Sequence, residues 1–145
     1  SWTEVNDMNT ARAKGTGGGT STSALIFGGS EPTITAKTES FNGTNWTEVG
    51  DLNNSRQLIA GCGADNTACL AFGGEDGDAA NYAITELWNG SSWSEQNDMA
   101  TASETSFGTT QGAGSATYRA RTPSPANATE EWLVPTIATN KTITD

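Results

Sequence analysis

Apolar residues come in short runs along this chain, and none of them keeps a helical period. Gln57–Gly61 and Ala68–Phe72 are runs of strand length. Thr85–Trp88 and Trp93–Gln96 are of the same length and flank the pair Asn89-Gly90. No window places apolar residues at i, i+3, i+4 and i+7 over three turns, so helix is expected to be essentially absent. Between the first two runs, Asp65-Asn66 reads as a tight hairpin turn. Asn42-Gly43 and Asn89-Gly90 read as hairpin turns that need positive φ at both turn residues.

The pattern is periodic on a longer scale. Ser1-Trp-Thr-Glu-Val-Asn-Asp-Met-Asn-Thr-Ala-Arg12 returns as Asn45-Trp-Thr-Glu-Val-Gly-Asp-Leu-Asn-Asn-Ser-Arg56, and more loosely as Ser92-Trp-Ser-Glu-Gln-Asn-Asp-Met-Ala-Thr-Ala-Ser103. Leu25-Ile-Phe-Gly-Gly29 matches Leu70-Ala-Phe-Gly-Gly74. Thr38-Glu-Ser-Phe-Asn-Gly-Thr-Asn-Trp46 matches Thr85-Glu-Leu-Trp-Asn-Gly-Ser-Ser-Trp93, and a third copy begins at Thr129-Glu-Glu-Trp132. A period of about 45 residues signals repeated units that bury their cores against neighbours. Four short strands per period is the count of one propeller blade.

The double glycine followed by an aromatic residue and then a tryptophan resembles the Kelch repeat, over nearly the whole chain from Ser1 to about Trp132. The resemblance implies an all-β fold of about three four-stranded antiparallel blades, part of a larger or oligomeric propeller. On this reading residues 1–10 supply the fourth strand of a preceding or closing blade. Residues 11–52 form blade 1, 53–99 blade 2, 100–133 an incomplete blade 3, and 134–145 a C-terminal tail.

Residues that recur in register are expected to be structural. At Gly28-Gly29 and Gly73-Gly74 the second strand ends where blades crowd, and a side chain would clash or demand positive φ. A phosphate-cradling role for these glycines, or for Gly17-Gly18-Gly19, lacks the Lys-Ser/Thr and helix it requires. Trp2, Trp46 and Trp93 are expected to fill the wedge between neighbouring sheets. Arg12 and Arg56 with Glu39, Glu86 and Glu130 suggest repeated ion pairs, with the third pair missing because Ser103 replaces arginine.

Charge and composition narrow the function. The net charge is −10, from 17 acidic and 7 basic side chains. Binding to nucleic acid through phosphates is therefore not expected, and no apolar run reaches membrane-spanning length. There is no histidine, which excludes His-dependent triads and imidazole metal sites within the chain. Galactose oxidase, built on Kelch-type blades, needs histidines for its copper, so its activity does not transfer. Glu75-Asp76-Gly-Asp78 would serve glycosidase chemistry only with a second carboxylate across a pocket. A calcium site there would use Asp76, Asp78 and Asn81, although EF-hand spacing is not met. No cofactor is expected. Cys62 and Cys69 lie directly opposite each other if Asp65-Asn66 is the turn. They are then either a disulfide or two small buried apolar residues.

What varies between units are the loops after each second strand, Ser30–Ala36, Glu75–Ala83 and Ala120–Asn127. They carry Glu75, Asp76, Asp78, Asn81, Tyr82 and Arg121, the candidate ligand-binding residues, on a repeated frame. The Ser/Thr/Asn/Gly-rich repeats resemble those of phage structural and bacterial surface proteins. That resemblance implies a non-enzymatic module on a virion or cell surface: a fibre, adhesin or decoration protein. Its partners would be other chains of an assembly and a glycan or host-surface ligand. The alternative is a lectin, or part of a propeller enzyme whose site lies outside these residues. Three units fall short of the usual four to eight blades, so a longer chain, a second chain or a surrounding assembly is expected to complete the array.

Overall fold

The computed structural model describes residues 1–78, 80–104, 107–108, 117–120 and 129–132. The loop 121–128, with Arg121, and the segment 133–145 lie outside the described residues.

The described residues are all-β. Blade 1 consists of β1 (Thr16–Thr20), β2 (Ser23–Phe27), β5 (Thr38–Phe41) and β6 (Trp46–Val49), antiparallel in the order β1-β2-β5-β6. Its long loop carries a two-stranded hairpin of β3 (Ser30–Glu31) and β4 (Thr33–Ile34). Blade 2 repeats the plan with β7 (Ala60–Asp65), β8 (Ala68–Phe72), β9 (Thr85–Trp88) and β10 (Trp93–Gln96), in the order β7-β8-β9-β10. A third sheet contains β11 (Phe107–Gly108), β12 (Thr117–Ala120) and β13 (Thr129–Trp132). The repeated registers coincide. Phe41 pairs with Trp46 as Trp88 pairs with Trp93, and Ala120 pairs with Thr129 as Phe27 pairs with Thr38.

Alternation along the strands sends one face of each blade into the next. Leu25 and Phe27 of blade 1 meet Cys69, Ala71, Trp88 and Trp93 of blade 2 in one core cluster, closed by Leu52 and Ile59. Phe27 lies edge-on to Trp93 with centroids 4.8 Å apart, and Trp88 is 5.4 Å from Trp93. The opposite face of blade 2, with Cys62, Leu70 and Phe72, packs against Met99 and Trp132 of the third unit. Blade-to-blade contact thus follows chain order.

Local structure departs from the sequence expectations in four places. The first strand of blade 2 begins at Ala60, not Gln57. Leu58 has a φ of 54° and donates its N–H to the Lys14 carbonyl at 3.0 Å. Lys14, two residues after Arg12 as Leu58 is two after Arg56, has a φ of 56°, so a left-handed residue turns the chain into each inner strand.

The β7–β8 turn is Asn66-Thr67, with Asp65 paired to Ala68 and a register shift between Gly63 and Asp65. Asp65 takes the turn role because its Oδ1 accepts from both the N–H and the hydroxyl of Thr67, at 2.8 and 2.6 Å.

The Asn-Gly pairs do not form two-residue turns. Four residues separate Phe41 from Trp46, and only glycine is left-handed, with φ of 94° at Gly43 and 93° at Gly90. Asn42 Oδ1 accepts the Thr44 and Asn45 amides at 3.0 and 2.9 Å, and Asn89 does the same for Ser91 and Ser92. This local side-chain capture favours the longer loop.

Residues 1–8 carry no assigned strand, and Trp2 is fully exposed. Trp46 is only half-buried whereas Trp93 is buried. The reason is positional. Blade 1 covers Trp93, and no described sheet covers the equivalent face of blade 1.

Candidate functional site

Each blade is locked by the same polar clamp. In the first, Arg12 Nη2 donates to Glu39 Oε1 at 2.5 Å, and its Nη1 donates to the Gly28 and Lys37 carbonyls at 3.2 and 2.7 Å. Glu39 Oε2 accepts both the backbone and side-chain N–H of Asn9, at 2.7 and 3.0 Å. In the second, Arg56 Nη2 reaches Glu86 Oε1 at 2.9 Å, and Nη1 reaches the Gly73 and Ile84 carbonyls at 2.7 and 3.0 Å. Asn53 supplies Glu86 Oε2 with two donors, each at 2.8 Å.

These groups are buried, with side-chain exposures of 1% and 0% in the first pair and 0% and 0% in the second. Burial draws the Arg56 pKa down, against the opposing pull of Glu86. Burial alone would raise Glu39, but the Asn9 amide and Arg12 outweigh it and hold the carboxyl below its ordinary value. The Nε–H of both arginines lacks an acceptor, the same shortfall in both units.

In the third unit Glu130 Oε2 accepts the backbone N–H of Ala100 at 2.9 Å. Ser103 is fully buried at the arginine position and turns its hydroxyl to the Glu104 carbonyl at 3.0 Å. The backbone-amide contact of the clamp is therefore kept where the cation is replaced and Ala100 stands for asparagine.

The double glycines sit at the clamp. Gly73 and Gly74 have φ of 67° and 99°. A Cβ on Gly73 would collide with the Ser103 carbonyl, and one on Gly74 would lie 2.7 Å from the Gln57 carbonyl. Gly28 and Gly29 have φ of 62° and 99° and are equally confined.

Loop residues are what these clamps leave over. In the second loop, Glu75 bridges to both Gln57 and Asn81 through its backbone, and its Oε1 accepts from Gln57 Nε2 at 2.5 Å. Asp76 Oδ1 accepts the Asp78 amide at 3.0 Å, and Oδ2 accepts the Tyr82 hydroxyl at 3.0 Å. The Asp78 amide, then the Tyr82 hydroxyl, hold Asp76 below its ordinary pKa, and the same bond to Asp76 raises Tyr82. Asp76 is thereby held as an acceptor within its own loop. Among the described residues no group of three or more His, Cys, Asp or Glu is placed to hold a metal ion.

The loops of blades 1 and 2 meet. Gly77 lies against Ile34, and a Cβ on Gly77 would be 2.7 Å from Ile34 Cδ1. In the first loop Lys37 pairs with Glu31 at 3.1 Å, a bond that raises the lysine pKa.

The cysteines separate. Cys62 pairs with Leu70 and Gly63 with Cys69, so the two side chains fall on opposite faces of blade 2 and into different core clusters. Both are thiols. The shift of the turn and the bulge between Gly63 and Asp65 together change the register by one residue, which undoes the direct opposition a disulfide requires. Burial pushes the Cys69 thiol up to about 12, which leaves it protonated and inert.

A second polar network had no counterpart among the sequence motifs. Asn66, in the β7–β8 turn, reaches back to blade 1. Its Nδ2 donates to Ser40 Oγ at 3.0 Å and to the Phe41 carbonyl at 3.3 Å, and its Oδ1 accepts from Ser23 Oγ at 2.9 Å. Its own carbonyl accepts the Trp88 indole N–H at 2.9 Å. The residue stands where the first unit has Ser21, so the repeat carried no signal for it. The clamp asparagines Asn9 and Asn53 were visible as part of the repeated Asn-x-x-Arg, but that spacing alone did not show their target.

Comparison with known proteins supports the architecture. No family model matches the chain, and no curated protein matches it. Among solved structures it is similar to that of YjhT, with a TM-score of 0.67 and 13% sequence identity over 80% of this chain. The chain spans 36% of the length of that protein. At this identity the likeness shows the fold alone, a β-propeller-like stack of four-stranded antiparallel sheets. Among the described residues, no helix is long and apolar enough to cross a membrane.

Proposed function

We propose that the chain is a non-enzymatic structural and binding module of a virion or cell surface, built on Kelch-type blades. The observation that carries this reading is where the ionisable residues go. The repeated arginines and glutamates are consumed inside the blades as clamps, and the Asp76 carboxylate is fixed as an acceptor by its own loop. The remaining variable chemistry lies in the Ser30–Ala36 and Glu75–Ala83 loops, which touch through Ile34 and Gly77. A rigid frame that presents adjoining variable loops suits recognition of a surface ligand. An acidic, Ser/Thr/Asn-rich exterior suits an extracellular or virion setting and disfavours nucleic acid. The Kelch assignment rests on the Gly-Gly and Trp spacing together with the clamp that recurs in blades 1 and 2.

The test is binding of the full chain to intact cells and to a glycan array, with and without neutral Gly/Ser sequences replacing both loops. Binding that is lost while circular dichroism and melting are preserved supports the reading. Binding that survives the replacement, or hydrolysis of an arrayed glycan, overturns it.

A further inference from the structure

In blades 1 and 2 the loop between the third and outermost strands opens with Asn-Gly, as Asn42-Gly43 and Asn89-Gly90. All four residues are exposed. Asn42 donates its N–H to the Asn45 carbonyl at 3.2 Å, and Asn89 donates to the Ser92 carbonyl at 3.3 Å, so each loop is closed at its base. The second residue is glycine because the chain is left-handed there, with φ of 94° and 93°.

Each asparagine side chain is set for attack by its own main chain. Asn42 Oδ1 accepts the Thr44 and Asn45 amides at 3.0 and 2.9 Å, and Asn89 Oδ1 accepts the Ser91 and Ser92 amides, both at 3.0 Å. Two fixed donors at this distance stabilise the negative charge that gathers on the oxygen when Cγ is attacked, as an oxyanion hole does. The nucleophile is the next residue's amide nitrogen, so the step is intramolecular. Among the described residues the Gly43 and Gly90 amides have no hydrogen-bond partner, and neither do the Nδ2 atoms of Asn42 and Asn89. The attacking and departing nitrogens are both open to water, and no Cβ shields the glycine.

The asparagines inside the fold are held differently. Asn9 Nδ2 donates to Glu39 and to the Trp46 carbonyl, both at 3.0 Å. Asn53 Nδ2 donates to Glu86 and to the Trp93 carbonyl at 2.8 and 3.4 Å. Asn66 Nδ2 donates to Ser40 and to the Phe41 carbonyl. In each the departing nitrogen is tied by two acceptors. Each is followed by a residue with a side chain, Thr10, Asn54 or Thr67, which crowds the attacking amide.

We propose that Asn42 and Asn89 are sites of self-modification, which the folded chain converts to aspartate and isoaspartate. The Gly43 nitrogen bonds to Asn42 Cγ while water takes up its proton. The Cγ–Nδ2 bond then breaks, and Nδ2 recovers a proton and leaves as ammonia. A five-membered cyclic imide remains. Water opens it at Cγ to give aspartate, or at the original main-chain carbonyl to give isoaspartate. Gly90 and Asn89 react in the same way. The sum is one water consumed and one ammonia released at each site, with no change of oxidation state.

The two products leave different loops. Aspartate keeps an oxygen in place for both amides and makes those bonds charge-assisted. Isoaspartate routes the main chain through Cγ, lengthens the loop by one CH₂ and turns the capping oxygen into a main-chain carbonyl. Either product adds one negative charge per site to the −10 of the chain. One strand, β5 or β9, separates each of these loops from the variable loop of its blade, so the two lie at opposite ends of the sheet. The new charges therefore appear away from the loops proposed to bind a ligand, and that binding does not bear on them.

Incubation of the folded full chain at neutral and mildly alkaline pH, with peptide mapping by mass spectrometry, tests it. Each conversion raises the mass of its peptide by about one dalton, and enzymatic methylation of isoaspartate marks the second product. Asn42 and Asn89 should convert at least tenfold faster than Asn9, Asn53 and Asn66, and faster as the pH rises. Their rates should stay within about tenfold of a free peptide carrying the same Asn-Gly-Thr or Asn-Gly-Ser sequence, because the cap supplies donors to the reacting oxygen. The double variant Asn42→Asp, Asn89→Asp should show no gain at either site and should match the parent in circular dichroism and melting. Conversion at both sites more than tenfold slower than in the free peptides, conversion spread evenly over all five asparagines, or a double variant that melts well below the parent would each overturn the proposal.

Discussion

Removing the Glu86 carboxylate should be the most damaging single change that leaves every apolar contact in place. Glu86 accepts one bond from Arg56 and two from Asn53, all between 2.8 and 2.9 Å, the Arg56 bond fully buried and the Asn53 bonds partly so. Glu86→Leu leaves a buried guanidinium without its counter-charge and strands both Asn53 donors. Breaking a buried pair in this way costs about 3–5 kcal/mol. Arg56→Met should cost a similar amount, because it orphans the carboxylate and the Gly73 and Ile84 carbonyls. The double variant restores charge balance. Its cost should fall short of the summed single costs by about 2–3 kcal/mol, as directly coupled residues do. Urea unfolding followed by tryptophan fluorescence and by circular dichroism gives the three values. Additive costs, or a Glu86→Leu loss below about 1 kcal/mol, would show that the clamp is not the lock described here.

Three further outcomes follow from the same geometry. Trp93→Ala should destabilise the chain by about 3–5 kcal/mol, because the ring is enclosed by Phe27 and Trp88. Trp46→Ala, on the open face, should cost clearly less in denaturant titrations of the monomer, and equal losses would refute the difference in burial. Acidification should destabilise the fold through Glu39. Its pKa is lowered in the folded state, so the unfolded chain protonates first, and the stabilisation is present above the ordinary value of 4.5 and lost below it. Melting temperature against pH should therefore fall more steeply for the parent than for Glu39→Gln, and parallel curves would contradict this. Lys14 is exposed with a φ of 56°, so Lys14→Gly should raise stability by about 1 kcal/mol, read from the urea midpoint.

The fold was legible because it is stated repeatedly. Short apolar runs, paired glycines and Trp at fixed spacing define a blade, and two good copies fix the frame. Strand ends were less legible because local side-chain bonding decides them. Asp65 captures Thr67 and moves a turn by one residue, and with the bulge between Gly63 and Asp65 this carries Cys62 to the opposite face from Cys69. Asn42 and Asn89 cap their loops and lengthen them. The arginine–glutamate pairs could be read from co-occurrence in the repeat. The asparagine that completes each clamp could not, since its donors matter only once the crossing segment lies over the third strand. Burial of Trp46 was misjudged because a repeat predicts an environment from its equivalents, and the covering neighbour belongs to that environment. The loop residues carry no repeat at all, so spacing said nothing about which of them touch.

The central claim is that successive units stack as blades, with Trp93 of the second set into the face of the first. Nuclear Overhauser contacts of the Trp93 ring measure this directly. The account predicts cross-peaks from the Trp93 indole to the Phe27 ring, whose centroid is 4.8 Å away, and from its N–H proton to Thr38. Contacts confined to residues of its own unit, with none to Phe27 or Thr38, would contradict it.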